Sequence, residues 1–109
     1  AQADYREMLK KYITRINHVH CKDIRKDVLE NSLKNDLSFR DSFLDGVFTV
    51  PGDGCIDYGT ILKLLYENNY NKWLIIEAEQ DPKKANPFDY AKIGFNYLIN
   101  IINEVGYKI

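Results

Sequence analysis

Apolar and polar residues recur with two different periods along the chain, and the period divides the chain into helices and strands. Residues 4–15 place apolar side chains three or four positions apart with charges between them, which predicts the end of a helix. Residues 16–23 and 73–79 are shorter runs, and their composition favours extended strands whose side chains alternate between two faces. The polar stretch 26–45 has scattered apolar positions and predicts one or two short helices.

Proline, glycine and capping residues set the limits of the remaining elements. The Pro-Gly and Asp-Gly pairs within residues 50–54 predict a turn. Asp57 is placed to cap a helix that ends at Asn68-Asn69 and carries four apolar residues: Ile61, Leu62, Leu64 and Leu65. The run Asn86-Pro87-Phe88-Asp89 is typical of a helix start, and we expect the last helix to end just before Gly106.

Strands that alternate with helices predict an α/β fold with a parallel sheet and right-handed crossovers. Two strands, however, cannot form a parallel sheet that is covered on both faces. We therefore expect residues 1–109 to be a single unit that is part of a larger α/β domain. Its open strand edges should recruit the rest of that domain or copies of the chain itself. We also expect the helix faces to be exposed at several apolar positions: Leu62, Leu65, Phe95, Leu98 and Ile102.

Composition narrows the functional class. The 109 residues are 45% hydrophobic and 28% charged with a formal net charge of −1, which fits a small globular unit and gives no reason to expect nucleic-acid or membrane partners. No window approaches the roughly 18 consecutive apolar residues of a transmembrane helix. Cys21 and Cys55 lack the spacing of a zinc site, and we expect both to remain reduced in a cytoplasm.

The first predicted strand carries unusual side chains for a buried position. His18, His20 and Lys22 share one face, and two imidazoles and an ammonium are costly to bury without partners. A metal ion or a hydroxyl-rich or anionic ligand would supply such partners. A His-x-His pair taken alone is more often structural or exposed, so this alternative stays open.

The second predicted strand repeats this pattern. Trp73, Ile75, Glu77 and Glu79 share a face that changes from apolar to acidic, while the opposite face is apolar and should meet helices. The carboxyl ends of strands hold the active sites of α/β barrels. Histidine and carboxylate groups from neighbouring strands suit a divalent metal such as Mn, Co, Fe or Zn, although two such glutamates are often merely solvated.

Two cations lie at and just after the carboxyl end of the first predicted strand. Lys22 and Arg25 are candidates for binding an anionic or polyhydroxylated substrate, and the spacing favours slightly the alternative of ion pairs with Asp23 or Asp27. Gly52-Asp53-Gly54 lacks the lysine and hydroxyl residue of a phosphate-binding loop and is better explained as a tight turn. Cys21 has the opposite parity from His20, so we expect it to pack toward a helix rather than act as a nucleophile.

Three segments taken together resemble one family. Residues 18–25, 46–54 and 73–82 are similar, in the same order, to the myo-inosose-2 dehydratases, the inositol-catabolism members of the xylose-isomerase-like barrels. The resemblance covers roughly residues 4–105. It implies the C-terminal part of a TIM (β/α)8 barrel, namely the last two β/α units and the end of the preceding helix.

The resemblance also implies a site and a reaction. His20 and Glu77 match the histidine and the last glutamate of a metal site whose other ligands, a glutamate and an aspartate, would lie upstream. The metal would be Mn or Co, and glutathione is a further possible cofactor. The substrate would be a cyclic polyol ketone, scyllo-inosose (2-keto-myo-inositol), dehydrated to a trihydroxycyclohexane-1,2-dione. Glu77 and Lys22 would be catalytic, and His18, Lys22 and Arg25 would bind substrate.

Two alternatives remain at this point. The first is a sugar epimerase or isomerase of the same barrel superfamily, which would share the metal but not the loss of water. The second is a catalytically inactive half-barrel that serves as an assembly unit. Because two of the four implied ligands are absent, we expect the isolated chain to be inactive.

Overall fold

The computed structural model describes residues 4–108 and has two parallel β/α units as its framework. A 3-10 turn, Ile13–Arg15, follows the first helix. In chain order the helices and strands are α1 (Tyr5–Tyr12), β1 (His18–Cys21), β2 (Asp23–Ile24), α2 (Lys26–Lys34), α3 (Phe39–Leu44), β3 (Phe48–Thr49), α4 (Tyr58–Glu67), β4 (Trp73–Ile76) and α5 (Pro87–Val105).

Strands β1 and β4 pair in parallel, as the sequence predicts. His18 lies opposite Trp73 and Cys21 lies opposite Ile76. The apolar faces of these strands pack against α4 and α5 in a core that contains Cys21, Tyr58, Leu62, Leu65 and Leu98. The prediction that Leu62, Leu65 and Leu98 are exposed is therefore wrong, because the two helices cover each other's faces, whereas Phe95 is exposed as predicted.

The predicted helix signals are confirmed in detail. The carboxylate of Asp57 accepts a hydrogen bond from the Thr60 amide at the start of α4. Asn86 accepts from the amides of Phe88 and Asp89 at the start of α5, and Gly106 ends that helix in the left-handed conformation. The segment 26–45 forms two helices. The helix predicted over 4–15 is regular only to Tyr12.

Both predicted strands end earlier than expected, for one reason, and the first also begins two residues later than predicted, at His18. β1 ends at Cys21, and the chain then turns so that β2 pairs antiparallel with β3, a two-residue strand too short to show a pattern in the sequence. The turn is fixed by Asp23, which is 1% exposed and accepts hydrogen bonds from the amides of Ile24 and Ile56. After the Glu77 amide bonds to the Cys21 carbonyl, β4 has no further partner on this side, so Glu79 lies beyond the strand.

The segment from Gly46 to Ile56, here called the Gly46–Ile56 loop, is anchored at several points to β2 and to Arg25, which directly follows β2. The Arg25 amide donates to the Val47 carbonyl, and its guanidinium donates to the Gly46 carbonyl at 2.7 Å. The Cys55 amide donates to the Ile24 carbonyl. The predicted turn is confirmed, with Gly52 at a φ of 91°. The loop is therefore an ordered support beside the strand ends.

Gly54 is required by the close approach of this loop to Asp23. A Cβ atom at Gly54 would lie 2.2 Å from Asp23 Oδ1 and 2.8 Å from the Ile24 carbonyl oxygen. We expect Gly54→Ala to lower the free energy of unfolding by about 1–3 kcal/mol, the usual cost of overpacking. Urea denaturation measures the change. Gly59→Ala is the matched control, because its Cβ would meet only Asp57 at 3.4 Å, and an equal loss there would contradict the prediction.

Candidate active site

The side chains of His20 and Glu77 converge where the two parallel strands end. His20 is the third residue of β1, and Glu77 directly follows β4. Because the strands are parallel and in register, both side chains leave the sheet on the same face. His20 Nδ1 lies 2.7 Å from Glu77 Oε2. The predicted convergence is confirmed. It brings an imidazole nitrogen and a carboxylate oxygen together at the edge of the sheet where barrels hold their active sites.

Lys22 joins this pair through its ammonium group. Lys22 Nζ lies 3.2 Å from Glu77 Oε1 and 2.8 Å from Glu79 Oε2. Glu77 thus uses one carboxylate oxygen toward His20 and the other toward Lys22. We call His20, Lys22, Glu77 and Glu79 the strand-end cluster.

Contacts within the cluster favour the charged forms of Glu77 and Lys22. Hydrogen bonding from His20, and then from Lys22, lowers the pKa of Glu77 below its ordinary value. Partial burial would lower the pKa of Lys22, but its hydrogen bonds to Glu79 and Glu77 and their negative charges outweigh that effect and raise the pKa. At neutral pH the cluster therefore presents a carboxylate and an ammonium side by side.

Two groups of the cluster, the His20 imidazole and the Glu77 carboxylate, are of the kind that form part of a metal site. An imidazole nitrogen and a carboxylate oxygen at hydrogen-bond distance are groups that Mn, Co or Zn takes as ligands. Across residues 4–108, however, no three histidine, cysteine, aspartate or glutamate side chains gather closely enough to hold a metal by themselves. His20 and Glu77 would therefore need ligands from other strands of a barrel.

His18 does not join the cluster. It is the first residue of β1 and lies opposite Trp73. It precedes His20 by two residues and therefore lies about 6.6 Å nearer the amino end of the strand. It borders a shallow surface depression formed with Asn17, Asn71, Lys72 and Trp73 at the amino ends of the strands. This geometry gives His18 no contact with Glu77, and its substrate-binding role remains a prediction without support from this arrangement.

Arg25 is engaged by the Gly46–Ile56 loop. Its guanidinium donates to Thr49 Oγ1 at 3.1 Å and to Asp53 Oδ2 at 2.5 Å. The predicted alternative, ion pairs of Lys22 and Arg25 with Asp23 or Asp27, is wrong in its partners, because Asp23 is occupied by backbone amides and the two cations find Glu77, Glu79 and Asp53 instead. Arg25 also borders a cavity of about 380 Å³ beside Gln80 and Lys84.

Two residues near the cluster escape prediction from the sequence. The sequence pattern indicates for Asp53 only a place in a turn, although Asp53 is the carboxylate that pairs with Arg25. Phe48 lies under Lys22, with the ammonium 4.9 Å from the ring centroid. Nothing in the local pattern marks either contact, since each joins segments more than twenty residues apart.

Cys21, by contrast, is a buried free thiol with a pKa raised by burial to about 11, which agrees with the predicted packing role.

Comparison with known families decides the larger fold. The model of the xylose isomerase-like TIM barrel family matches residues 1–101. This chain belongs to the xylose isomerase-like TIM barrel family. Membership confirms the predicted fold class, in which the two parallel β/α units are part of a TIM barrel. No helix within residues 4–108 has the length and apolar character needed to cross a membrane.

Curated relatives within this TIM barrel family include several inosose dehydratases. The chain is 56% identical over 91 residues to that of Clostridium beijerinckii, covering 84% of this chain and 30% of the relative. It is 49% identical over 98 residues to that of Bacillus velezensis, covering 90% and 33%. The Rhizopine catabolism protein MocC of Rhizobium meliloti is 48% identical over 99 residues, covering 91% and 30%. The chain thus spans about a third of the length of these relatives.

Proposed function

We propose that this chain forms the C-terminal third of a metal-dependent inosose dehydratase, a lyase that acts on scyllo-inosose in inositol catabolism. The observation that carries the proposal is the meeting of His20, Lys22 and Glu77 at the carboxyl ends of adjacent parallel strands. The similarity to inosose dehydratases supports this choice of substrate over that of a sugar epimerase or isomerase.

The reaction needs groups of the kind that the cluster presents. A base removes the proton from a carbon next to the ketone, and hydroxide leaves from the following carbon as water. The new double bond carries a hydroxyl group, so the product is the enol of the 1,2-dione, which then tautomerises. The base gains one proton and the acid gives one to the departing hydroxide, so one proton passed between them restores both groups.

Within this scheme we assign roles to the described residues. His20 and Glu77 would hold a divalent ion, Mn or Co, together with carboxylates from other strands. When bound, such an ion polarises the ketone oxygen. The Glu77 carboxylate would also take part in proton transfer. Lys22 has three N–H donors and lies beside Glu77 at 3.2 Å, so it would bind ring hydroxyls and assist the departing one.

The decisive test places the chain in a complete barrel. We expect a chimera, in which this chain replaces the matching 30% of the Clostridium beijerinckii inosose dehydratase, to dehydrate scyllo-inosose in the presence of Mn or Co. The 109-residue chain alone should show no turnover under the same conditions, because it carries only part of the site. Formation of the dione, followed by mass spectrometry, measures both.

Three results would contradict parts of this proposal. Turnover by the isolated chain would show that the catalytic residues are misplaced. A chimera that folds, as judged by circular dichroism, but epimerises the ketone without loss of water would favour the epimerase alternative. A folded chimera that binds metal but converts no substrate would favour the inactive assembly unit.

A further inference from the structure

The ammonium of Lys22 has a third neighbour besides its two carboxylates. It lies 4.9 Å from the centroid of the Phe48 ring, within the range of a cation–π contact. The two carboxylates follow the end of β4, whereas the ring belongs to β3. The position of the ammonium is therefore defined from two directions.

The Phe48 ring is itself fixed by its surroundings. Phe48 pairs with Ile24 in the short antiparallel sheet, and its ring packs against that of Phe39 with the centroids 5.7 Å apart. The loop that carries it is held by the Arg25 guanidinium and by the buried Asp23 carboxylate. The ring position is thus set by the pairing of β3 with β2 and by the contact with the Phe39 ring.

Lys22 needs such a support because its side chain is long and its two carboxylate partners compete for it. A lysine stem has four rotatable bonds, and Glu79 at 2.8 Å is nearer to the ammonium than Glu77 at 3.2 Å. Without a surface on the β3 side, Glu79 can draw the ammonium away from Glu77. The aromatic ring restricts that movement without adding a competing hydrogen-bond acceptor.

We propose that Phe48 is a positioning residue for Lys22, which keeps the ammonium beside Glu77 during dehydration. This inference rests on the proposed function for its kinetic part and on the contact itself for the rest. Phe48 acts through Lys22, and a displaced ammonium would chiefly slow the departure of the hydroxyl, so loss of Phe48 should lower kcat by more than it raises KM.

The kinetic test uses the chimeric barrel. We expect Phe48→Leu to lower kcat about fivefold to tenfold with KM changed less than twofold, whereas Phe48→Tyr, which keeps an aromatic face, restores kcat. Phe88→Leu makes the same chemical change at an exposed position of α5 and should have no effect. In a Lys22→Met background, Phe48→Leu should cause no further loss, because the residue it positions is gone. An equal loss in both backgrounds, or an effect on KM alone, overturns the proposal.

A second measurement does not depend on turnover. In the chimera labelled with ¹³C at the lysine ε carbon, the Lys22 ε protons should be shifted upfield by the ring current, and Phe48→Leu should abolish that shift while Phe48→Tyr retains it. The Lys22 resonance is assigned by its absence in Lys22→Arg. A shift without any dehydratase activity would overturn the proposed function but support the Lys22–Phe48 contact, whereas a Lys22 resonance unaffected by Phe48→Leu overturns the contact.

Discussion

Glu77→Gln in the chimeric barrel is expected to lower kcat/KM for scyllo-inosose about 1,000-fold. The substitution keeps the size of the side chain but removes the negative charge that contacts both His20 and Lys22. Removal of a positioned acid–base group typically costs about 100-fold to 10,000-fold in rate. The same substitution should reduce the Mn or Co that remains with the purified protein, as measured by elemental analysis, because an amide is a weaker ligand than a carboxylate.

Glu79→Gln is the matched control for this experiment. Glu79 is the same residue type, lies two positions away and also contacts Lys22, at 2.8 Å. Unlike Glu77, it has no contact with His20 among the described residues. We expect its substitution to lower kcat/KM tenfold or less and to leave the metal content unchanged. Equal losses for the two variants would contradict the assignment of Glu77 as the ligand and would indicate a shared, purely electrostatic role.

The position of His20 and Glu77 was predictable because it depends only on alternation along strands. An extended backbone turns each side chain to the face opposite its neighbour, so parity alone groups His20 with Lys22 and Glu77 with Glu79. The start of parallel pairing at His18 and Trp73 then brings the two groups to one edge. Helix limits at Asp57, Asn86 and Gly106 were predictable for a similar reason, since capping is local.

The turn after Cys21 was not predictable because its cause lies far along the chain. Asp23 has the parity of a buried strand position, and only the approach of the Ile56 amide explains why a carboxylate is placed there. The same holds for Arg25, whose partner Asp53 is presented by the Gly46–Ile56 loop. A sequence pattern with a short period contains no information on which distant segment will supply the partner.

These long-range contacts also explain why the residues after β1 have two different roles, one in the strand-end cluster and one in holding the Gly46–Ile56 loop. Lys22 belongs to the strand-end cluster, whereas Asp23 and Arg25 hold the Gly46–Ile56 loop in place. The Tyr58 hydroxyl donates a hydrogen bond to the Lys22 carbonyl from the opposite side, at 2.8 Å. Arg25, which the sequence suggests as a substrate-binding residue, thus also holds the loop that lies beside Lys22.

An apolar groove lies along the edge of β4 that faces away from β1. It has a volume of about 380 Å³ and is lined by residues of β4 and α5 that include Trp73, Leu74, Ile76, Phe95 and Ile102. Within residues 4–108, β4 has a strand partner only on the β1 side. In a closed barrel, every strand has a neighbour on both sides. We therefore propose that the groove receives the remainder of the barrel or, when that is absent, a second copy of this chain.

The isolated chain is accordingly expected to sediment as a dimer or larger species at micromolar concentration. Phe95 is 54% exposed in the groove, and burial of an aromatic side chain of this kind favours association by about 1.5–3 kcal/mol when complete. Phe95→Lys should weaken self-association about tenfold by sedimentation velocity. Phe88→Lys should not, because Phe88 lies on the same helix but outside the groove. A compact monomer at micromolar concentration, or equal effects of the two variants, would show that the open edge of β4 is not the surface on which chains meet.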